Sequence, residues 1–91
     1  MNRSSYNIDE SDKFKRSLKG LPRYIIQDFK EKAYSQLREN PLGGHNIIKL
    51  GPPYIGRYRY KTGNYRLIYS IDKIEGIVNL IEVGHRSSIY K

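Results

Sequence analysis

The spacing of apolar residues changes period once along this chain, at the loop "PLGGH" (residues 41–45). Before the loop they recur every three or four positions: Phe14, Leu18 and Leu21, then Ile25, Ile26, Phe29, Ala33 and Leu37. After it they recur every second position. The first spacing puts apolar side chains on one stripe of a helix, and the second puts them on one face of a strand. The chain therefore commits to helices first and a sheet second. Asp9, Glu10 and Asp12 suit the start of a first helix, and Gly20 suits its end. Pro22 fits the first turn of a second helix, and Asn40-Pro41 stops it.

"SSYNID" (residues 4–9) reads as a short first strand with Tyr6 and Ile8 on one face. Beyond the loop, "NIIKL" is a strand and "GPP" breaks it. "YIGRYRYK" is the next strand, "TGN" a tight turn, "YRLIYSID" another strand, "KIEG" a turn and "IVNLIEV" the last strand. Connections this short make antiparallel neighbours. The expected order is β-α-α-β-β-β-β, one small α+β domain over residues 1–91. An N-terminal strand and an antiparallel helix hairpin would pack on one face of a mainly antiparallel four- to five-stranded sheet.

Length and charge then bound the function. With 91 residues and 37% hydrophobic content, the core is thin. The formal net charge of +8 attracts polyanions, with nucleic acid or an acidic protein the foremost partners. There is no cysteine, which excludes a disulfide framework, a thiolate zinc site and a cysteine nucleophile. The start "MNRSSYNIDE" has no apolar signal segment, and no run approaches the about 18 apolar residues of a membrane span. A cytoplasmic protein with no membrane partner is the expectation. No cofactor is expected, and no second histidine or carboxylate stands at a metal-like spacing from His45 or His85.

Alternation assigns the sheet's two faces. Tyr58, Tyr60, Tyr65, Leu67, Tyr69 and Ile71 fall on one side, toward the helices. Ile55, Arg57, Arg59 and Lys61, with Arg66, Ile68, Ser70 and Asp72 of the next strand, fall on the other. A single exposed cation on a strand often does no more than guard an edge. Several gathered on one face repel one another unless an anion is expected there. Phosphate is the natural guest, because guanidinium groups contact its oxygens in pairs. Lys49 and Lys61 are the candidate RNA-binding lysines beside the arginines. Past the last strand, "GHRSSIYK" supplies His85, Arg86 and Tyr90.

"LKGLP" before an amphipathic helix, "ENP" at its end, "YRYKTGNYRLIYSID" and the C-terminal "VGHRSSIYK" together resemble the RelE/ParE superfamily of bacterial and archaeal toxins. The resemblance covers nearly the whole chain, and "YRLIY" with "VGHR…Y" is its specific part. The last motif is more similar to the RelE branch, messenger-RNA interferases, than to the ParE branch, which poisons DNA gyrase. The resemblance implies the toxin of a type II toxin–antitoxin system, a ribosome-dependent endoribonuclease that cuts messenger RNA in the A site; the alternatives are a ParE-like inhibitor of DNA gyrase and an RNA-binding module without catalysis. It also implies a cognate RelB-like antitoxin, acidic or amphipathic, in a heteromeric complex. By position, Arg57 and Arg59 match a pair that is often lysine in the family. Arg66 matches the arginine of the "YRL" strand, Arg86 the arginine after the last strand, and Tyr90 the C-terminal tyrosine.

Metal-free RNA cleavage removes a proton from the 2′-hydroxyl, stabilises the crowded phosphate and returns a proton to the 5′-oxygen. Arg57, Arg59, Arg66 and Arg86 suit the second task as permanent cations, and arginine is a poor base. Tyr90 is the expected base, with stacking on a nucleobase as its alternative role, and His85 could be acid or base, the acid role being the one assigned to it here.

Overall fold

The computed structural model describes residues 5–89. Strand β1 (Asn7–Glu10) leads into helix α1 (Asp12–Lys19). A second helical rod follows without a break: α2 (Arg23–Asp28), a π-helical stretch (Phe29–Ala33) and α3 (Tyr34–Glu39). Strands β2 (Ile47–Lys49), β3 (Arg57–Thr62), β4 (Tyr65–Asp72) and β5 (Ile77–His85) follow. They form one five-stranded sheet in the order β1-β5-β4-β3-β2. Only β1 is parallel to its neighbour; β2 to β5 pair antiparallel.

The rod owes its π stretch to the spacing of its buried residues. Ile25, Phe29, Ala33 and Leu37 are all buried and each lies four positions after the last. On a 3.6-residue turn a spacing of four drifts by about 40° per step, so the stripe would wind off the core. The wider turn over Phe29–Ala33 absorbs that drift. Tyr34, beside the stripe, is also buried. Its hydroxyl donates to Glu10 at the end of β1 at 2.5 Å.

Helix α1 starts on a built cap: the Ser11 hydroxyl accepts from the Phe14 N–H at 3.0 Å. It then takes over the sheet edge where β1 stops. The last β1 pair is Glu10 with Leu80. One residue on, the Ser11 hydroxyl donates to the Ile81 carbonyl (3.0 Å). The Val83 N–H donates to the Ser17 hydroxyl (3.1 Å), which in turn donates to the Phe14 carbonyl (2.9 Å). Two serines thus satisfy backbone groups that an edge strand would leave open.

The core lies between helices and sheet. Phe14, Phe29 and Leu37 meet Tyr58, Tyr60, Leu67, Tyr69, Val78, Leu80 and Val83. Tyr58 and Tyr69 are cross-strand partners and their rings stack at 5.6 Å. The Tyr69 hydroxyl donates to the Pro41 carbonyl at 2.7 Å and ties the sheet to the loop after α3. Among the described residues no helix is long and apolar enough to cross a membrane.

Two strand expectations shift. The first strand covers Asn7–Glu10, while the Tyr6 N–H instead donates to the Arg38 carbonyl. Strand β3 begins only at Arg57, so Tyr54 and Ile55 belong to the preceding loop. Pro52 and Pro53 have no N–H to give a ladder, and Gly56 sits at φ 86°. Ile55 is therefore exposed in a turn and does not share the arginine face.

Candidate nucleic-acid interface

The β3–β4 register is the first determinant of the site. Arg57 lies opposite Ser70, Arg59 opposite Ile68, and Lys61 opposite Arg66. All six share the face turned away from Tyr58, Tyr60, Leu67 and Tyr69. Directly opposed side chains have Cβ atoms about 4.5–5.5 Å apart, and diagonal ones stand about 7–8 Å apart. Lys61 and Arg66 are thus immediate neighbours, and Arg59 is diagonal to Arg66. Four cations occupy one small surface, as alternation predicts.

That surface is less open than expected at its centre. Arg66 is 9% exposed and Ile68 only 3%. The Arg66 Nη1 donates to the carbonyls of Gly63 (2.9 Å) and Tyr65 (3.1 Å), so its head folds toward the β3–β4 turn. Its other neighbour, across β5, is Gly84. A Cβ at Gly84 would meet the Ile89 side chain at 3.4 Å, so the tail after β5 folds back over this strand end. Arg59 is half-buried, and its Nε is buried without a hydrogen-bond partner. A buried donor left unmatched favours an incoming acceptor. Arg57 and Lys61 are exposed.

A bulge in β5 is the second determinant. Ile68 pairs with Glu82 but Tyr69 pairs with Leu80, which leaves Ile81 unopposed. The extra residue inverts the alternation of everything after it. Val83 goes into the core, Glu82 and Gly84 join the arginine face, and His85 goes to the tyrosine face opposite Tyr65. His85, expected beside the arginines as an acid, is thus turned away from them. Its ring meets the Tyr65 ring edge-on at 5.5 Å. Its Nδ1 accepts from the Ser87 N–H (3.1 Å) and faces the Ser87 hydroxyl at 2.8 Å. Its carbonyl accepts from the N–H groups of Ser88 and Ile89. His85 organises the tail turn.

Arg86 is exposed at the start of that turn, and its N–H donates to the Asn64 carbonyl at 2.7 Å. This bond brings Arg86 to the same end of the sheet as Lys61 and Arg66. Lys49 pairs with Tyr58, which by alternation puts it on the helix side of edge strand β2 and apart from the arginines. Tyr90 lies outside the described residues. Glu82, which no local motif marks, sits across Ile68 from Arg59 and pairs with Lys13 at 3.1 Å. Only the bulge puts it there.

The two phenols with displaced acidity belong to the scaffold. Burial, with a smaller push from Tyr58 and Tyr60, holds Tyr69 well above the ordinary tyrosine range. Burial, then the hydrogen bond to Glu10 and its charge, does the same to Tyr34. Two clefts of about 330 Å³ each open between β1, α1 and the helical rod; they share Glu10 and Lys15 and touch none of Arg57, Arg59, Arg66 and Arg86.

Comparison with known proteins agrees with this architecture. The chain is 30% identical over 90 residues to Toxin RelG of Mycobacterium tuberculosis, covering 94% of this chain and 97% of that one. The toxin–antitoxin complex RelBE2 of M. tuberculosis contains a chain that matches with TM-score 0.81 and 29% identity, over 90% of this chain and 99% of that one. The isolated RelE toxin of E. coli matches with TM-score 0.71 and 26% identity, over 94% and 92%. The model of the ParE toxin of type II toxin–antitoxin systems matches residues 8–90. The chain therefore belongs to the ParE toxin family of type II toxin–antitoxin systems, within the RelE/ParE superfamily.

Proposed function

We propose that this toxin is a ribosome-dependent endoribonuclease that cuts messenger RNA in the A site and so stops translation. The observation that carries the reading is the cation cluster: Arg57, Arg59, Lys61 and Arg66 on one sheet face, with Arg86 bonded to the adjoining turn. Likeness to toxins named RelG and RelE supports it. In the reaction the 2′-oxygen loses its proton and attacks phosphorus. The bond to the 5′-oxygen breaks, and that oxygen takes up a proton from solvent water, leaving a cyclic phosphate and a free 5′-hydroxyl. Charge grows on the non-bridging oxygens, where fixed guanidinium groups act. A single well-placed donor in comparable sites is worth about 2.7–4 kcal/mol. Tyr90 remains the proposed base. His85 has a tail-holding role instead of the acid role first expected, because its ring faces the other side of the sheet.

An open sheet face holds RNA in attack geometry poorly, and the proposal gives that task to the ribosome. The cognate partner is an acidic or amphipathic antitoxin, a reading supported by the RelB–RelE complexes that share this fold. A second reading, inhibition of DNA gyrase, is favoured by the match to the ParE family model. One pair of assays decides between them: messenger cleavage mapped in a translating extract, and supercoiling by gyrase, at equal toxin concentration. Ribosome-bound cuts with unaltered supercoiling are expected. Supercoiling inhibited without cuts overturns the nuclease reading, and strong cutting of naked RNA overturns its dependence on the ribosome.

A further inference from the structure

We propose that the two-residue turn Gly63-Asn64 is the positioning device of the arginine clamp, an inference that rests on the reading of that face as the phosphate site. Thr62 pairs with Tyr65, so only Gly63 and Asn64 lie between β3 and β4. Gly63 has φ 56°, and no residue other than glycine has positive φ among those described. Positive φ at the first central position alone defines a type II′ turn. A type I′ turn would close the same hairpin in the same register, but with the peptide between the two central residues flipped. The type chosen therefore decides where the Gly63 carbonyl points.

Here that carbonyl accepts from Arg66 Nη1 at 2.9 Å, while the Tyr65 carbonyl accepts from the same nitrogen at 3.1 Å. Two acceptors on one nitrogen fix a corner of a planar guanidinium and hence its orientation. The next carbonyl of the turn, that of Asn64, accepts the Arg86 N–H at 2.7 Å. Arg86 is held from the far side as well, since the His85 carbonyl takes the N–H groups of Ser88 and Ile89. Two arginines far apart in sequence are thus set by adjacent carbonyls of one turn. Lys61, directly opposite Arg66, would otherwise push that guanidinium away.

The test is a turn exchange, Gly63→Asn with Asn64→Gly, which favours type I′ and keeps loop length and register. In the free protein, the Arg66 Nη–H signals should exchange with solvent faster than in the wild type, because the Gly63 acceptor is lost while the Tyr65 carbonyl stays. On the ribosome, kcat should fall at least tenfold with KM within twofold and the thermal midpoint preserved. A folded exchange variant that keeps Arg66 protection, or cleaves at the wild-type rate, overturns the proposal. Should the variant not fold, the wild-type protein decides: Arg66 Nη–H must exchange more slowly than that of Arg57, and equal exchange overturns the proposal. If wild-type protein makes no cuts while the exchange variant still speeds Arg66 exchange, the nuclease reading falls and the positioning of Arg66 by the turn stands.

Discussion

The β3–β4 hairpin has two faces that solve opposite problems. On one, Tyr58, Tyr60, Leu67 and Tyr69 are all at most 9% exposed and pack against the helical rod. Here every neighbour is an attraction, and Tyr58 stacks on its cross-strand partner Tyr69. On the other, Lys61 opposes Arg66, and Arg59 carries a buried Nε without a partner. Here neighbours repel and a donor is left unmatched, costs that the isolated domain gains nothing from. The difference teaches that one face of the hairpin carries stability while the other gathers like charges at a cost. The packed face holds the strands in register, and the register holds like charges together.

The comparison predicts that truncations on the two faces have opposite signatures. Leu80→Ala on the packed side should cost about 2–5 kcal/mol of unfolding free energy, read by denaturant melts. Cleavage per folded molecule should stay near wild type. Arg59→Ala should do the reverse. Removing a partnerless donor from a repulsive cluster should leave stability within about 0.5 kcal/mol or raise it. Ribosome-bound cleavage should drop by about 10²–10³. An Arg59→Ala protein that melts early and cleaves normally would erase the distinction between the faces.

Alkaline pH probes the core through two of its phenols. Tyr34 and Tyr69 both have acidities displaced upward in the folded protein, chiefly by burial. The unfolded phenols lose protons first as pH rises past about 10, so the unfolded state gains and stability falls. Two such groups give a slope of about 2.7 kcal/mol per pH unit above that point, and no contribution from them below it. Tyr34→Phe should halve the slope while lowering stability at neutral pH through loss of the Glu10 bond. Melts at stepped pH check both, and a slope unchanged in Tyr34→Phe refutes the assignment.

What was legible in the sequence follows the same division. Local period showed the helical stripe through Ile25, Phe29, Ala33 and Leu37, and alternation showed that Arg57, Arg59 and Arg66 share a face. Neither signal reaches features made by contacts distant in the chain. The bulge at Ile81 leaves no mark in "IVNLIEV", whose apolar residues fit either phase, yet it decides that Val83 and His85 point one way and Glu82 the other. The bonds from Ser11 to Ile81 and from Val83 to Ser17 join positions 70 and 66 residues apart, beyond any local pattern. Arg66 looked exposed because alternation carries no knowledge of the tail that folds back over Gly84.

The smallest effect tests the boundary between the faces at two lysines. Lys61 stands on the arginine face opposite Arg66, whereas Lys49 stands opposite Tyr58 on the helix side of edge strand β2. Both are exposed, so neither supports the fold appreciably. If RNA phosphates lie along the arginine face, Lys61→Ala should weaken RNA binding and lower the slope of log affinity against log salt by about 0.7, one single-strand phosphate contact. Lys49→Ala should change neither. Titrations at four salt concentrations distinguish the two variants even where affinity shifts by less than threefold. Equal slopes for Lys61→Ala and Lys49→Ala would mean that RNA sees only the overall charge of the domain, and the face defined by the register would lose its meaning as a site.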